Sequence, residues 1–246
     1  KERGVKTLGI VNVVGSSIAR EADKVMYTWA GPEIAVATTK AYSAQLVAQY
    51  LLAIKFAQVR GKVTEAEVGE MLRDLKKLPD QVEMLLSHKE KIQKFANRFI
   101  VAKDIFFIGR GIDYAISLEG SLKMKEISYL HAEAYAAGEM KHGPIALIDP
   151  GFPVIAVATK SATYDKTVSN LMECKARGAK VIVVATEGDE EINKIADCII
   201  RVPAVRDVFS PITASVPLQL LAREVAILRG CDVDQPRNLA KSVTVE

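Results

Sequence analysis

Two histidines and a dense run of ionisable side chains lie between residues 119 and 144 of this 246-residue chain. Glu119, Lys123 and Glu126 are three and four residues apart, so on a helix they share one face. A buried carboxylate is costly unless it is paired, hydrogen-bonded or protonated. The three side chains therefore form either a structural ladder of ion pairs or a site in which Glu126 transfers a proton and Lys123 tunes its pKa.

The part of this run that follows the predicted helix favours the second interpretation. His142 stands directly before a Gly-Pro turn, which is a typical loop position for a side chain that gains and loses a proton. A histidine and a carboxylate in one short stretch are suited to general acid–base chemistry.

A helix must position the ionisable groups. Residues 112–130 contain good helix formers and no proline, which predicts a helix. A period of about 100° per residue predicts one inward-facing stripe, and Lys125 is predicted to point outward. The stripe comprises Ile112, Ala115, Glu119, Leu122, Lys123, Glu126 and Leu130.

Strands alternate with helices along the second half of the chain. The predicted strands cover residues 104–109, 153–158, 180–186 and 198–202, and the predicted helices include 163–177 and 212–229. This alternation predicts a doubly wound parallel sheet in a three-layer α/β/α arrangement. Such sheets bind ligands at the carboxyl ends of their strands, and Arg110 lies in a turn at one of these ends.

The first 61 residues predict a smaller α/β unit, with strands at 7–13 and 25–28 and a helix over 40–60. Lys1–Gly4 resembles the last turn of a helix, so we expect the chain to begin inside a fold, with an incomplete first unit. Gly15-Ser-Ser17 is either a structural turn or a weak phosphate loop. Thr38 or Thr39 is the expected N-cap of the helix, and the backbone there serves capping alone or binds a ligand.

Two further segments carry open alternatives. Residues 63–101 predict two or three amphipathic helices that start at Thr64–Glu67, and Pro79 is expected to break the run. The last residues, from Asp232, are either disordered or packed. Their apolar side chains favour packing; they are Val233, Pro236, Leu239 and Val243.

Composition excludes several classes of function. A net charge of +3 from 33 basic and 30 acidic residues predicts no nucleic-acid partner. The three cysteines are widely spaced, which predicts reduced thiols and no metal site. No uninterrupted apolar run approaches the length of about 20 residues that a membrane span needs, and no signal peptide is evident. We therefore expect a cytoplasmic protein without a membrane partner.

Three stretches carry a resemblance to a known family. They are the run from Glu119 to Pro144, the stretch Glu33-Ile-Ala-Val-Ala-Thr-Thr-Lys-Ala-Tyr42, and the last residues from Asp232 to Glu246. The sequence resembles the isomerase part of the glutamine–fructose-6-phosphate aminotransferases (glucosamine-6-phosphate synthases), which belong to the sugar isomerase (SIS) superfamily. The resemblance implies isomerisation of fructose 6-phosphate to an aldose phosphate during the synthesis of glucosamine 6-phosphate.

The resemblance also assigns roles to individual residues. It makes Glu126 the carboxylate that transfers the proton, with Lys123 assisting it. It makes His142 the group that opens the sugar ring, at the active site of the partner subunit of a homodimer. It makes Lys241 the lysine that forms a Schiff base with the sugar. Three further residues match positions that contact the sugar in the family: Val36, Thr38 and Ala240.

The resemblance predicts an organisation as well. We expect the end of a first SIS unit at 1–62, a second SIS unit at 63–230 and a catalytic C-terminal segment at 231–246. The glutaminase domain and the Ser/Thr-rich phosphate loops of the family would lie upstream, so this chain is expected to be inactive alone. No cofactor is predicted. The alternatives are a non-enzymatic SIS module that senses a sugar phosphate and a related isomerase or deglycase.

Overall fold

A computed structural model describes residues 1–241 of the chain. Contacts between Cα atoms divide the chain into two compact units, Lys1–Lys76 and Lys77–Glu246. The domain boundaries expected near residues 62 and 230 remain predictions.

The first unit contains a pair of parallel strands, two complete helices and the start of a third. The complete elements are β1 (Leu8–Val11), α1 (Ser17–Glu21), β2 (Lys24–Tyr27) and α2 (Lys40–Val59). β1 pairs with β2 from Leu8↔Lys24 to Val11↔Tyr27. The short helix α1 was not predicted; Ser16 caps it by accepting a hydrogen bond from the Ala19 N–H at 3.4 Å. Gly15-Ser-Ser17 is therefore a turn followed by a helix start.

The two or three helices expected over residues 63–101 are confirmed, since α4 (Lys89–Ala96) and a short 3₁₀ helix (Asn97–Phe99) follow the long helix α3 (Glu65–Ser87). The predicted start of α3 is confirmed, since Thr64 and Glu67 exchange hydrogen bonds through their side chains and backbone N–H groups. The expected break at Pro79 is wrong, because the helix continues through this residue. Burial of apolar side chains on both sides of the proline, such as Leu78 and Leu85, offsets the hydrogen bond that it cannot donate.

The second unit is built on a parallel sheet, as predicted, but the sheet has five strands where four were expected. Its elements are α4 (Lys89–Ala96), β3 (Asp104–Gly109), α5 (Ile112–Ser128), β4 (His131–Ala136), β5 (Pro153–Ala158), α6 (Tyr164–Lys175), β6 (Lys180–Thr186), β7 (Cys198–Val202) and α7 (Ser210–Leu228). The strand order is β4-β3-β5-β6-β7. The strand β4 was not predicted, because it contains no branched apolar residue and its alanine and glutamate residues have low strand propensity.

Both faces of this sheet are covered by helices. Alternate strand residues such as Phe106 and Val154 belong to a core cluster with α6, which includes Leu171. The intervening residues face α5 and α7; Phe107, for example, lies beside Gly120. The strands are therefore buried on both sides, which explains their continuous apolar sequences.

Helix α5 is buried over most of its circumference, so the predicted inward stripe is only partly right. Glu119, Lys123 and Leu130 are buried as expected. Three members of the stripe are exposed instead, namely Ile112, Ala115 and Leu122, together with the outward-facing Lys125. The assignment failed because α5 packs against both the sheet and α7, and two contact faces leave little amphipathic contrast in the sequence.

Helix α7 is the one helix among residues 1–241 that is long and apolar enough to cross a membrane by length and composition. Its sequence is interrupted by polar and charged residues, so it contains no continuous apolar run of this length. In the fold, 67% of its most apolar window is buried inside the protein. Its apolar character is explained by its packing against α5.

The contact between α5 and α7 yields a prediction about Gly120. A Cβ atom at this position would lie 2.7 Å from Leu218 Cδ1 and 3.0 Å from Phe107 Cε1. We expect Gly120→Ala to lower the free energy of unfolding by about 1–3 kcal/mol, because overpacking outweighs the gain of ~1 kcal/mol in helix propensity. Chemical denaturation followed by circular dichroism measures the change.

Gly69→Ala in α3 is the matched control, since a Cβ there would meet Arg73 Nη1 at an ordinary 3.4 Å. This variant should gain stability, by up to about 1 kcal/mol. Equal stabilisation by both substitutions would contradict the close packing at Gly120.

Candidate active site

Lys123 and Glu126 form a close ion pair on the last turns of α5. Lys123 Nζ lies 2.6 Å from Glu126 Oε2, and the two side chains are 6% and 22% exposed. This confirms the predicted i,i+3 pairing. Because the lysine is buried and the carboxylate is partly open, Glu126 can reach a ligand while Lys123 holds it in place.

Glu119 lies one turn earlier on the same helix and is 9% exposed. Its Oε1 accepts a hydrogen bond of 3.1 Å from Gln219 Nε2 on α7. Burial raises the pKa of Glu119, and the nearby Lys123 cation and the Gln219 bond partly oppose this effect. Two carboxylates thus flank one buried lysine, and each has a separate partner that fixes its position.

The pair lies far from the carboxyl edge of the sheet, where sequence analysis expected ligands to bind. Helix α5 begins at that edge, after β3, and runs back towards the start of β4. Glu126 is fourteen residues beyond Ile112, which corresponds to about 21 Å along the helix axis. The pair and the Arg110 turn are therefore two separate clusters.

His142 is the last residue of a 3₁₀ helix, Ala137–His142. Its side chain is 75% exposed, and its Nε2 lies 4.0 Å from Glu139 Oε2. Gly143 follows with a φ of +148°, a conformation that favours glycine and ends the helix before Pro144. His142 thus stands at the surface of the second unit, available to a ligand or to another chain.

Val36 and Thr38 lie in the first unit, in a tight turn before α2. Thr38 Oγ1 donates a hydrogen bond of 3.0 Å to the Val36 carbonyl oxygen. Thr38 has a φ of +26°, which is unusual for a β-branched residue. Strained backbone of this kind is concentrated at ligand sites, and it is a signal that sequence analysis could not detect.

Ala240 and Lys241 are both exposed at the end of the described chain. The segment before them is held mainly by polar contacts. Asp232 Oδ1 accepts hydrogen bonds from two backbone N–H groups, and Pro236 is buried. The expectation of apolar packing is only partly right, because Leu239 is 45% exposed; Val243 lies outside the described residues.

A second cluster, at the carboxyl ends of β3 and β5, was missed by sequence analysis. Asp113 is 1% exposed and accepts hydrogen bonds from the Thr159 N–H at 3.1 Å and from Thr159 Oγ1 at 2.7 Å. Burial raises the pKa of Asp113 to about 7, against the effect of these hydrogen bonds. Arg110 Nη1 donates to Asn170 Oδ1 at 2.8 Å close by. These bonds tie the two strand ends together.

A cavity of about 740 Å³ opens at the opposite, amino edge of the sheet. Its polar lining includes Asp104, His131 and Glu133, and these side chains contact one another. His131 Nδ1 lies 2.7 Å from Asp104 Oδ1, and Nε2 lies 3.5 Å from Glu133 Oε1. Within residues 1–241 no group of three or more histidine, cysteine or acidic side chains has a geometry that could hold a metal ion.

A parallel sheet with helices on both faces places the second unit in the doubly wound α/β class. The SIS domain family matches residues 1–55 and 98–229. The chain belongs to the SIS domain family.

Individual relatives of the chain carry more specific names than the domain family does. A glutamine–fructose-6-phosphate aminotransferase (isomerizing) from Caldanaerobacter subterraneus subsp. tengcongensis is 54% identical over 246 residues, which is 100% of this chain and 40% of that protein. The solved C-terminal domain of glucosamine-fructose-6-phosphate aminotransferase from Francisella tularensis has a TM-score of 0.89 and 39% identity; the match covers 94% of this chain and 65% of that one.

A third relative is a glucosamine-6-phosphate deaminase from Thermotoga maritima, with a TM-score of 0.76 and 27% identity over 99% of this chain and 68% of that one. The chain spans about 40% of the length of the curated aminotransferases that it matches.

The pKa of Asp113 predicts how stability depends on pH. The folded state holds the proton of Asp113 more tightly than the unfolded state does. The free energy of unfolding therefore falls as pH rises from about 4 to about 7 and the carboxyl ionises. Relative to Asp113→Asn, the wild-type chain should lose about 2–3 kcal/mol of unfolding free energy between pH 5 and pH 8, at ~1.4 kcal/mol per pKa unit. Denaturant titrations at both pH values measure the difference.

Asp197→Asn is the control for this experiment. Burial raises the pKa of Asp197, but hydrogen bonds and charge from Lys175 and other groups lower it below its usual value overall. The contribution of Asp197 to the free energy of unfolding is therefore constant between pH 5 and pH 8. A pH dependence shared by both variants would contradict the assignment to Asp113.

Proposed function

We propose that this chain is the isomerase part of a glutamine–fructose-6-phosphate aminotransferase, which makes glucosamine 6-phosphate from fructose 6-phosphate and ammonia released from glutamine. The observation that carries the proposal is the Lys123–Glu126 pair, a partly open carboxylate on a rigid helix beside a buried lysine. The identity of 54% to an aminotransferase of this name, over the whole chain, supports it.

The pair suits the central step of the reaction. Conversion of an open-chain 2-ketose to an aldose moves a proton from C1 to C2, and one carboxylate can perform both transfers. Glu126 would take the proton from C1 and return it to C2. Lys123 would hold the carboxylate in position and stabilise the negative charge that develops on the sugar oxygen.

The other assignments follow the family resemblance. His142 would open the sugar ring, at the site of the partner subunit in a homodimer, and its exposure in the second unit supports this role. Lys241 would form an imine with the keto carbon: its uncharged Nζ adds to C2, and the carbonyl oxygen leaves as water. Val36, Thr38 and Ala240 would contact the sugar.

The proposal extends to the partners of the chain. The aminotransferases are longer than this chain, and in the full-length protein a glutaminase domain would supply the ammonia. We propose a cytoplasmic homodimer whose ligands are fructose 6-phosphate and glucosamine 6-phosphate, without a cofactor, a nucleic acid or a membrane. The similarity to a glucosamine-6-phosphate deaminase favours one second candidate, release of ammonia from the same amino sugar.

Substitutions of Glu126 and Lys241 in the full-length protein should block different steps of the reaction. Glu126→Gln keeps the shape of the side chain but cannot accept a proton, so the sugar should bind and isomerisation should stop. Lys241→Ala removes the reactive amine, so sodium borohydride should trap no adduct with fructose 6-phosphate. Single-turnover isomerisation, adduct trapping and melting temperature are measured for both variants.

Lys125→Ala is the control, since this exposed lysine lies on the same helix and faces away from the pair. It should behave as the wild type in all three measurements. Normal single-turnover rates with a lowered melting temperature for Glu126→Gln would indicate a structural ion pair and a non-catalytic SIS module. Faster ammonia release than amino transfer would favour the deaminase.

The 246 residues alone should produce no glucosamine 6-phosphate from glutamine and should bind fructose 6-phosphate weakly. The Gly-Thr-Ser and Ser-Gln-Ser-Gly-Glu-Thr loops that hold the phosphate in the family have no counterpart in this sequence. Each missing charge-assisted hydrogen bond is worth about 1.5–3 kcal/mol. Calorimetry compares the chain with the full-length protein, and tight phosphate-dependent binding to the chain alone would overturn this expectation.

A further inference from the structure

The C-terminal end of α5 holds a pair of contacts that the proposed reaction has not yet used. Tyr129 is the C-cap of this helix and has a left-handed backbone, with φ +58° and ψ +21°. Glycine is the usual residue in this conformation, because a side chain is strained there. A tyrosine at such a position needs a compensating interaction.

Both ends of the Tyr129 side chain contact Arg237 in the C-terminal segment. The hydroxyl oxygen accepts a hydrogen bond of 2.8 Å from the Arg237 backbone N–H. The guanidinium carbon lies 4.2 Å from the centroid of the ring, a cation–π arrangement. The Tyr129 side chain thus holds both the backbone and the guanidinium group of Arg237 in place.

The segment is also held where it leaves α7. Arg229 Nε donates to the Ser128 carbonyl oxygen at 3.1 Å, and Arg229 Nη1 donates to the Ile100 carbonyl oxygen at 3.0 Å. Positive side chains are favourable at the C-terminal end of a helix, where carbonyl groups lack partners. The chain therefore leaves α7 at a fixed point and is fixed again at Arg237.

Along the chain, these contacts adjoin both groups that are proposed to react with the sugar. Tyr129 is three residues from Glu126, on the neighbouring turn of the same helix. Arg237 is four residues before Lys241, so an extended chain reaches at most about 14 Å from one to the other. The contact restricts the volume that Lys241 can occupy around the end of α5.

We infer that Tyr129 and Arg237 form a clamp, named here for these two residues, that positions Lys241 for imine formation with the keto carbon of the sugar phosphate. The inference rests on the proposed function. Tyr129 is a positioning residue, since it acts through the backbone of the C-terminal segment. The clamp moves the last anchored position before Lys241 from Gly230, eleven residues away, to Arg237, four residues away.

The number of residues between Lys241 and its last anchored position determines how far loss of the clamp should slow imine formation. Effective concentration falls roughly as the −3/2 power of tether length, so loss of the clamp should lower it about five-fold. Loss of a preferred approach direction would add to this factor. The rate constant for trapping the Lys241 adduct at saturating fructose 6-phosphate should therefore fall at least about five-fold, while the half-saturating sugar concentration stays close to the wild-type value.

Tyr129→Gly in the full-length protein separates positioning from stability. Glycine adopts the left-handed conformation without strain, so the melting temperature should be unchanged or higher. Borohydride trapping with fructose 6-phosphate, followed by mass spectrometry of the peptide that contains Lys241, should nevertheless show the five-fold loss. A merely structural tyrosine would give the opposite pattern, a lower melting temperature with normal trapping.

Further variants remove the hydrogen bond and the cation–π contact one at a time. Tyr129→Phe keeps the ring but loses the hydrogen-bond acceptor, and Arg237→Ala keeps the backbone N–H but loses the cation, so each should give part of the effect. Arg237→Lys should recover some of the loss seen with alanine. Gln235→Ala is the control, because this exposed residue lies in the same segment and its side chain takes no part in the clamp.

The outcomes distinguish the clamp from the function on which it rests. If the wild-type protein forms no adduct at Lys241, the proposed role of this lysine is overturned, and the role of the clamp is overturned with it. If the wild type forms the adduct and Tyr129→Gly forms it at the same rate, the clamp alone is overturned.

Discussion

The packing of α5 between the sheet and α7 is the constraint on which the rest of the second unit depends. Gly120 lets the helix approach Phe107 and Leu218 more closely than a larger residue would allow. A helix held on two sides is rigid, and this one carries polar contacts from its first turn to its C-cap. Asp113 at its start ties β3 to β5 through Thr159, the Lys123–Glu126 pair lies near its end, and Tyr129 holds the C-terminal segment.

This packing also explains why charged groups are tolerated in the interior. Glu119 is satisfied by Gln219 of α7, and Lys123 is satisfied by Glu126. A buried ion pair contributes little net stability, because desolvation offsets most of the attraction between the charges. Apolar residues at these positions would serve the core equally well, so stability alone does not explain the charges. The proposed roles of Glu126 and Lys123 rest on this reasoning.

The sequence by itself determined the class of fold and most of the candidate residues. Alternating apolar strands and capped helices predicted the parallel sheet, since strands buried on both faces must be apolar throughout. The spacing of Lys123 and Glu126 was enough to predict their ion pair, because neighbours at i,i+3 on a helix are fixed by helix geometry alone. The roles of His142 and Lys241 came from the family resemblance and stay predictions.

Tertiary structure decided whatever depends on contacts between residues distant in sequence. The exposed faces of Ile112 and Leu122 follow from how α5 is rotated against two neighbours, which helix periodicity does not specify. The continuation of α3 through Pro79 follows from packing that outweighs a local preference. Asp113 with Thr159 and Tyr129 with Arg237 are 46 and 108 residues apart. Only the folded chain brings such partners together, because no local pattern encodes a contact between distant segments.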